Sequence, residues 1–173
     1  MNKQTIVMAL LFIVLVLVQV LICNHIMLFN LAVPFVFIYF ILRLPVGISQ
    51  NMVLTIAFLM GFLVDLFSDT PGVNSLACTV MAAVKPTVFY AYVARDDKTK
   101  KIVPAISTVG WQAYSKFALT MSLIFCFLVF TIEFMSFAGV DEILFMTAAS
   151  SLLTFALIIA MDSLMNANTK AIA

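Results

Sequence analysis

Hydrophobic residues in this chain fall into six long runs, separated by short polar or glycine- and proline-containing connections. The runs cover approximately Ile6–Cys23, Ile26–Leu42, Asn51–Phe67, Val73–Ala94, Gln112–Phe134 and Ile143–Leu164. A helix needs about 20 residues, within roughly 17–25, to cross a hydrocarbon core about 30 Å thick. Continuous apolarity predicts helices, because the strands of a membrane barrel would alternate over segments of about ten residues. A backbone that leaves N–H and C=O groups unpaired in lipid permits no other spanning form. The expected fold is therefore an all-α integral membrane protein, a bundle of about six transmembrane helices forming one polytopic domain over residues 1–173. The first run follows Lys3, as the core of a signal peptide would. No small-residue cleavage site succeeds it and a second run begins almost at once, so it is expected to be a retained span.

Composition supports the same class. The chain is 65% hydrophobic and 10% charged, with a mean hydropathy of +1.20, whereas soluble chains run about 45–50% apolar and about 25% charged. A net charge of +1 argues against nucleic acid as a partner. The few charges are unevenly placed. The connection after the second run carries Arg43, and that after the fourth carries Arg95, Lys98, Lys100 and Lys101 against Asp96 and Asp97. The connections after the third and fifth runs hold acids alone: Asp69 in one, Asp141 and Glu142 in the other. Lysine and arginine are enriched in cytoplasmic loops. Placing both termini in the cytoplasm puts Lys3, Arg43, Arg95, Lys98, Lys100, Lys101, Lys116 and Lys170 inside and no basic residue outside. That orientation requires an even number of spans, as the hydropathy count gives. Tyr90, Tyr92, Trp111 and Tyr114 suit the inner aromatic belt.

Polar residues inside the runs are the candidates for function. Asp65 lies near the end of the third run, and Ala57, Gly61 and Asp65 recur at i, i+4 and i+8 on one helix face. Two small residues below a carboxylate form a surface that another helix can approach closely. Asp65 belongs either to the bundle interior or to the outer headgroup level. Lys85 falls about halfway along the fourth run and is followed by Pro86, which removes a backbone hydrogen bond and predicts a kink. An ammonium in lipid needs a carboxylate, carbonyls or a water cavity. Asp65, on the neighbouring antiparallel segment, is the natural partner, although Lys85 lies deeper; the alternative is that Lys85 snorkels to the inner interface. Glu133, Asp162 and His25 are expected at interfaces, and Cys23, Cys78 and Cys126 as buried thiols without a disulfide or metal role. No catalytic motif is present: no His-Glu-x-x-His, no Gly-x-Ser-x-Gly with a usable histidine, no P-loop. Neither an enzyme nor a cofactor is expected.

The stretch Gly61-Phe62-Leu63-Val64-Asp65-Leu66-Phe67-Ser68-Asp69-Thr70-Pro71-Gly72-Val73-Asn74-Ser75-Leu76-Ala77 resembles the rod shape-determining protein MreD family. It shares a glycine, an aliphatic run, an aspartate, two apolar residues, and a small-residue and proline turn opening an alanine-containing span. Chain length and span count resemble that family in outline. The family's turn often reads Pro-Leu-Gly where this chain has Pro71-Gly72-Val73, and Lys85 has no clear counterpart. The resemblance implies a non-enzymatic inner-membrane scaffold subunit of the bacterial cell-elongation complex that builds peptidoglycan. The partners it implies are MreC, MreB, the RodA glycosyltransferase and a class B penicillin-binding transpeptidase, in addition to membrane lipid. It also implies a fold shared with substrate-binding subunits of energy-coupling-factor vitamin transporters, which supplies an alternative function. Against that alternative, the first run has a single alanine, Ala9, and no Ala-x-x-x-Ala docking face.

Overall fold

Pro34 interrupts the second apolar run. It has no N–H to give a helix, and it disfavours helical geometry at Val33. In the computed structural model of the chain, residues 32–37 are not helical, and among the described residues of this run a helix forms only over Ile38–Arg43. The expectation of a spanning helix over Ile26–Leu42 is corrected accordingly. The structure describes residues 3–23, 32–68, 70–93, 102–134 and 139–171, and their side chains between residues 6 and 165.

Seven helices are described: α1 (Lys3–Leu21), α2 (Ile38–Arg43), α3 (Gln50–Ser68), α4 (Val73–Tyr92), α5 (Ile106–Val109), α6 (Trp111–Phe134) and α7 (Val140–Ala171). The described residues contain no strand; Val46 and Ile102 form an isolated antiparallel bridge. Three helices are long and apolar enough to cross a membrane: α3, α6 and the Val140–Met165 part of α7. In the bundle α3 packs on α4, α4 on α6, α6 on α7 and α1 on α3.

Polarity runs inside out relative to a water-soluble protein. Gln19, Asp65, Lys85, Ser122, Ser150, Thr154 and Asp162 are buried, while Leu10, Leu17, Leu66, Phe67, Phe127, Leu152 and Leu164 face outward. Exposed apolar area on that scale marks contact with lipid or with partner proteins, and polar side chains at membrane depth turn to the bundle interior. The chain is an all-α membrane bundle.

The non-helical stretch lies in the middle of this interior. Phe35 and Phe37 both stack edge-on against Phe125 of α6, at 5.2 and 5.6 Å between ring centroids. Where its backbone has no helical partner, side chains take the bonds. Ser150 Oγ accepts the Val33 N–H at 3.0 Å and Thr154 Oγ1 the Phe35 N–H at 3.1 Å. Gln19 of α1 accepts the Val36 N–H at 2.9 Å and donates to the Pro34 carbonyl at 3.1 Å. Residues 33–39 thus advance alongside α7 from Ser150 to Asp162, twelve residues or about 18 Å at helical rise. They also run back along α1, where Phe40 meets Phe12 at 5.3 Å. The segment is irregular over residues 33–35, turns at 36–37 and enters α2 at Ile38. Irregular backbone at membrane depth is tolerated where protein surrounds it.

Replacing Thr154 by valine keeps the shape and strands the Phe35 N–H in the core. Stability in detergent should fall by about 1–3 kcal/mol, the cost of an unsatisfied buried donor. Thr131→Val, at a hydroxyl with no partner among the described residues, should leave stability unchanged. Thermal unfolding followed by circular dichroism checks both.

Candidate functional site

The α3–α4 hairpin holds Asp65 in a fully bonded socket. Thr70-Pro71-Gly72-Val73 makes the turn, with Gly72 at φ +86°, ψ −4°, the left-handed third position that a type II turn gives to glycine. Gly72 leaves the first N–H groups of α4 without a side-chain cap. Asp65, from the preceding helix, supplies it. Its Oδ1 accepts from the Asn74 N–H (2.9 Å), Asn74 Nδ2 (3.0 Å) and Thr70 Oγ1 (3.0 Å); its Oδ2 accepts from the Ser75 N–H (2.8 Å) and Ser75 Oγ (2.5 Å). A carboxylate at a helix N-terminus also meets the positive end of the helix dipole. Asp65 is 6% exposed, so the interior placement holds.

Gly61 brings the two helices close enough for this. A Cβ built on it would lie 2.5 Å from the Asn74 carbonyl oxygen and 2.6 Å from Ser75 Cα. Ala57, one turn earlier, is also buried. The small-residue face seen in the sequence is therefore the α3–α4 contact. Outside it, Phe58, Phe62, Leu66, Pro71 and Leu76 line an open apolar groove of about 920 Å³ that reaches Asp65 and Ser75.

Lys85 does not pair with Asp65. Ten residues of α4 separate it from Ser75, about 15 Å at 1.5 Å per residue. Its ammonium instead donates to the Ile41 carbonyl at 2.8 Å and the Leu44 carbonyl at 2.5 Å, closing the C-terminal end of α2. Lys85 is 2% exposed, so it does not snorkel either. Pro86 stands within α4, which continues through it to Tyr92. The missing Pro86 N–H frees the Ala82 carbonyl, and Gln50 Nε2 from α3 takes it at 3.0 Å.

A second charged centre was not anticipated. Asp162, expected at an interface, is fully buried in α7. Its Oδ1 lies 2.6 Å from Arg43 Nη1 and 3.0 Å from the Tyr39 hydroxyl, while Oδ2 accepts the Ile106 N–H at 2.9 Å. Arg43 also donates to the Tyr39 oxygen at 2.8 Å. One carboxylate thus joins α2, α5 and α7. The sequence carried a signal for it: Thr147, Ser151, Thr154, Ile158 and Asp162 recur at helical spacing, and all five are buried.

Glu133 is exposed at the end of α6, in keeping with an interfacial position, and Cys23, Cys78 and Cys126 are buried free thiols. His25, Asp69 and the basic residues Arg95, Lys98, Lys100 and Lys101 lie outside the described residues. Just beyond that basic connection, Ile102 exchanges two backbone hydrogen bonds with Val46, at 2.8 and 3.1 Å. No family profile, curated protein or solved structure matches the chain.

Two double-substitution cycles should separate these centres. Asp65→Asn and Lys85→Met share no partner, so their effects on stability should add within about 0.3–0.5 kcal/mol. Asp162→Leu should cost about 3–5 kcal/mol, because it leaves Arg43 unpaired, and adding Arg43→Met should recover much of that loss. Chemical unfolding in detergent micelles reads both cycles.

Proposed function

We propose that the protein is a non-catalytic membrane scaffold of the MreD type, serving the complex that elongates the bacterial cell wall. The observation that carries this reading is the state of Asp65. The residues that give the chain its MreD-like stretch come together as one unit, with the aspartate saturated by five donors at the turn and the glycine setting the helix contact. A carboxylate so bonded holds the two helices and their turn in one shape. Arg43, Asp162 and Lys85 are likewise engaged in joining elements.

On this reading the outward features serve association. The apolar groove between α3 and α4 suits a single-span helix of an MreC-like partner. In lipid such contacts depend on close packing and on few polar bonds. The protein sits in the inner membrane with both termini cytoplasmic. Its basic connection, Arg95 to Lys101, meets anionic lipid at about 1 kcal/mol per charge, or the cytoplasmic members of the complex: MreB directly, RodA and the transpeptidase through their inner faces.

Depletion should turn rod-shaped cells round, and mild-detergent purification should recover wall-synthesis proteins with the chain. Unchanged shape, together with a stoichiometric vitamin in the purified sample, would replace this reading with that of a transporter subunit.

Orientation has its own test. On a background without native cysteines, cysteines at Thr70 and Gly139 should react with an impermeant reagent in intact cells, and one at Thr99 should not. The opposite pattern reverses the orientation.

A further inference from the structure

Two cations converge on the C-terminal end of α2 with one carboxylate between them. Arg43 is the last residue of that helix and takes Asp162. Lys85 lies on the Ile41 and Leu44 carbonyls and has no carboxylate within ion-pair distance among the described residues. Among the described residues, two cationic side chains thus meet the end of α2 and one carboxylate pairs with only the first of them. Carbonyl dipoles ease the burial of an ammonium but do not neutralise it, and buried charges are ordinarily paired. A lysine carries three N–H donors, and the two carbonyls use two of them.

One donor remains, and Lys85 is among the residues lining a cavity of about 190 Å³, bounded also by Val46, Gly47, Ile48, Gln50 and Tyr90. A water molecule takes up about 30 Å³ of liquid, so the space accepts a polyatomic group. Basic pockets between membrane helices hold lipid headgroups, and phosphate is the anion that a membrane surface supplies in quantity. We propose that this cavity binds a phosphate-class oxyanion on the Lys85 ammonium, delivered by a phospholipid headgroup or as free phosphate. The inference is independent of the scaffold reading.

The test uses the full chain purified in a phosphate-free neutral detergent. In one arm sodium phosphate is titrated against sodium chloride of equal ionic strength. In the other the protein is placed in nanodiscs of phosphatidylglycerol or of a neutral galactolipid. Thermal stability should rise by about 5 °C at saturation in at least one arm, since a ligand of the folded state alone stabilises it. A rise with phosphate in detergent identifies the free ion; a rise confined to phosphatidylglycerol identifies the headgroup. Lys85→Met should abolish the rise, but it also removes the closure of α2. Ile48→Trp is therefore the decisive variant: it fills the cavity, leaves the Lys85 carbonyl bonds in place, and should weaken binding at least tenfold with helicity unchanged. No rise in either arm, or an equal rise in Ile48→Trp, overturns the proposal.

Discussion

A stretch of non-helical backbone enclosed by helices must find hydrogen-bond partners that it cannot make for itself, and much of this bundle is arranged around that need. Pro34 prevents the second apolar run from forming one helix, and the residues around it lie among phenylalanines where water does not replace the missing bonds. Gln19 from α1 and Ser150 and Thr154 from α7 accept or donate at the required atoms. An isolated unmet group of this kind costs on the order of 1–3 kcal/mol, so four together are comparable with the net stability of a small domain. The polar face of α7 and the buried Gln19 of α1 have their physical reason here.

The buried charges follow the same logic. Asp65 supplies the bonds that the first turn of α4 lacks, Lys85 those that the last turn of α2 lacks, and Asp162 joins the first amide of α5 to an arginine and a tyrosine. Each stands where a helix begins, ends or is interrupted. Helix termini leave unsatisfied groups, and far from bulk water a charged side chain is a strong way to satisfy them.

Much of this was legible in the sequence. Five of the six apolar runs correspond closely to helices, because uninterrupted hydrophobicity over about twenty residues leaves few other structures. The Ala57, Gly61 and Asp65 face was legible as well, since helical spacing of small residues states where backbones can approach. The second run was misread because apolarity was weighed above Pro34. Lys85 was assigned the wrong partner because a carboxylate is the obvious counterpart to an ammonium, and carbonyls at a broken helix end leave no mark in a linear pattern. The pairing of Asp162 with Arg43 was missed for a related reason. Each stands at the edge of its own apolar run, and their meeting depends on the path of a segment that does not follow helical rise.

The bonds from α7 to the interrupted stretch have a consequence for assembly. They join residues 117 and 119 positions apart in the chain, and contacts that distant form late because the loop between them must close first. As the protein is made from its N-terminus, the amides of Val33 and Phe35 must wait in the membrane for α7. A chain ending after α6 would carry two backbone amides without acceptors in the bundle interior. The last helix therefore acts as the closing piece, and the N-terminal third becomes native only when it arrives.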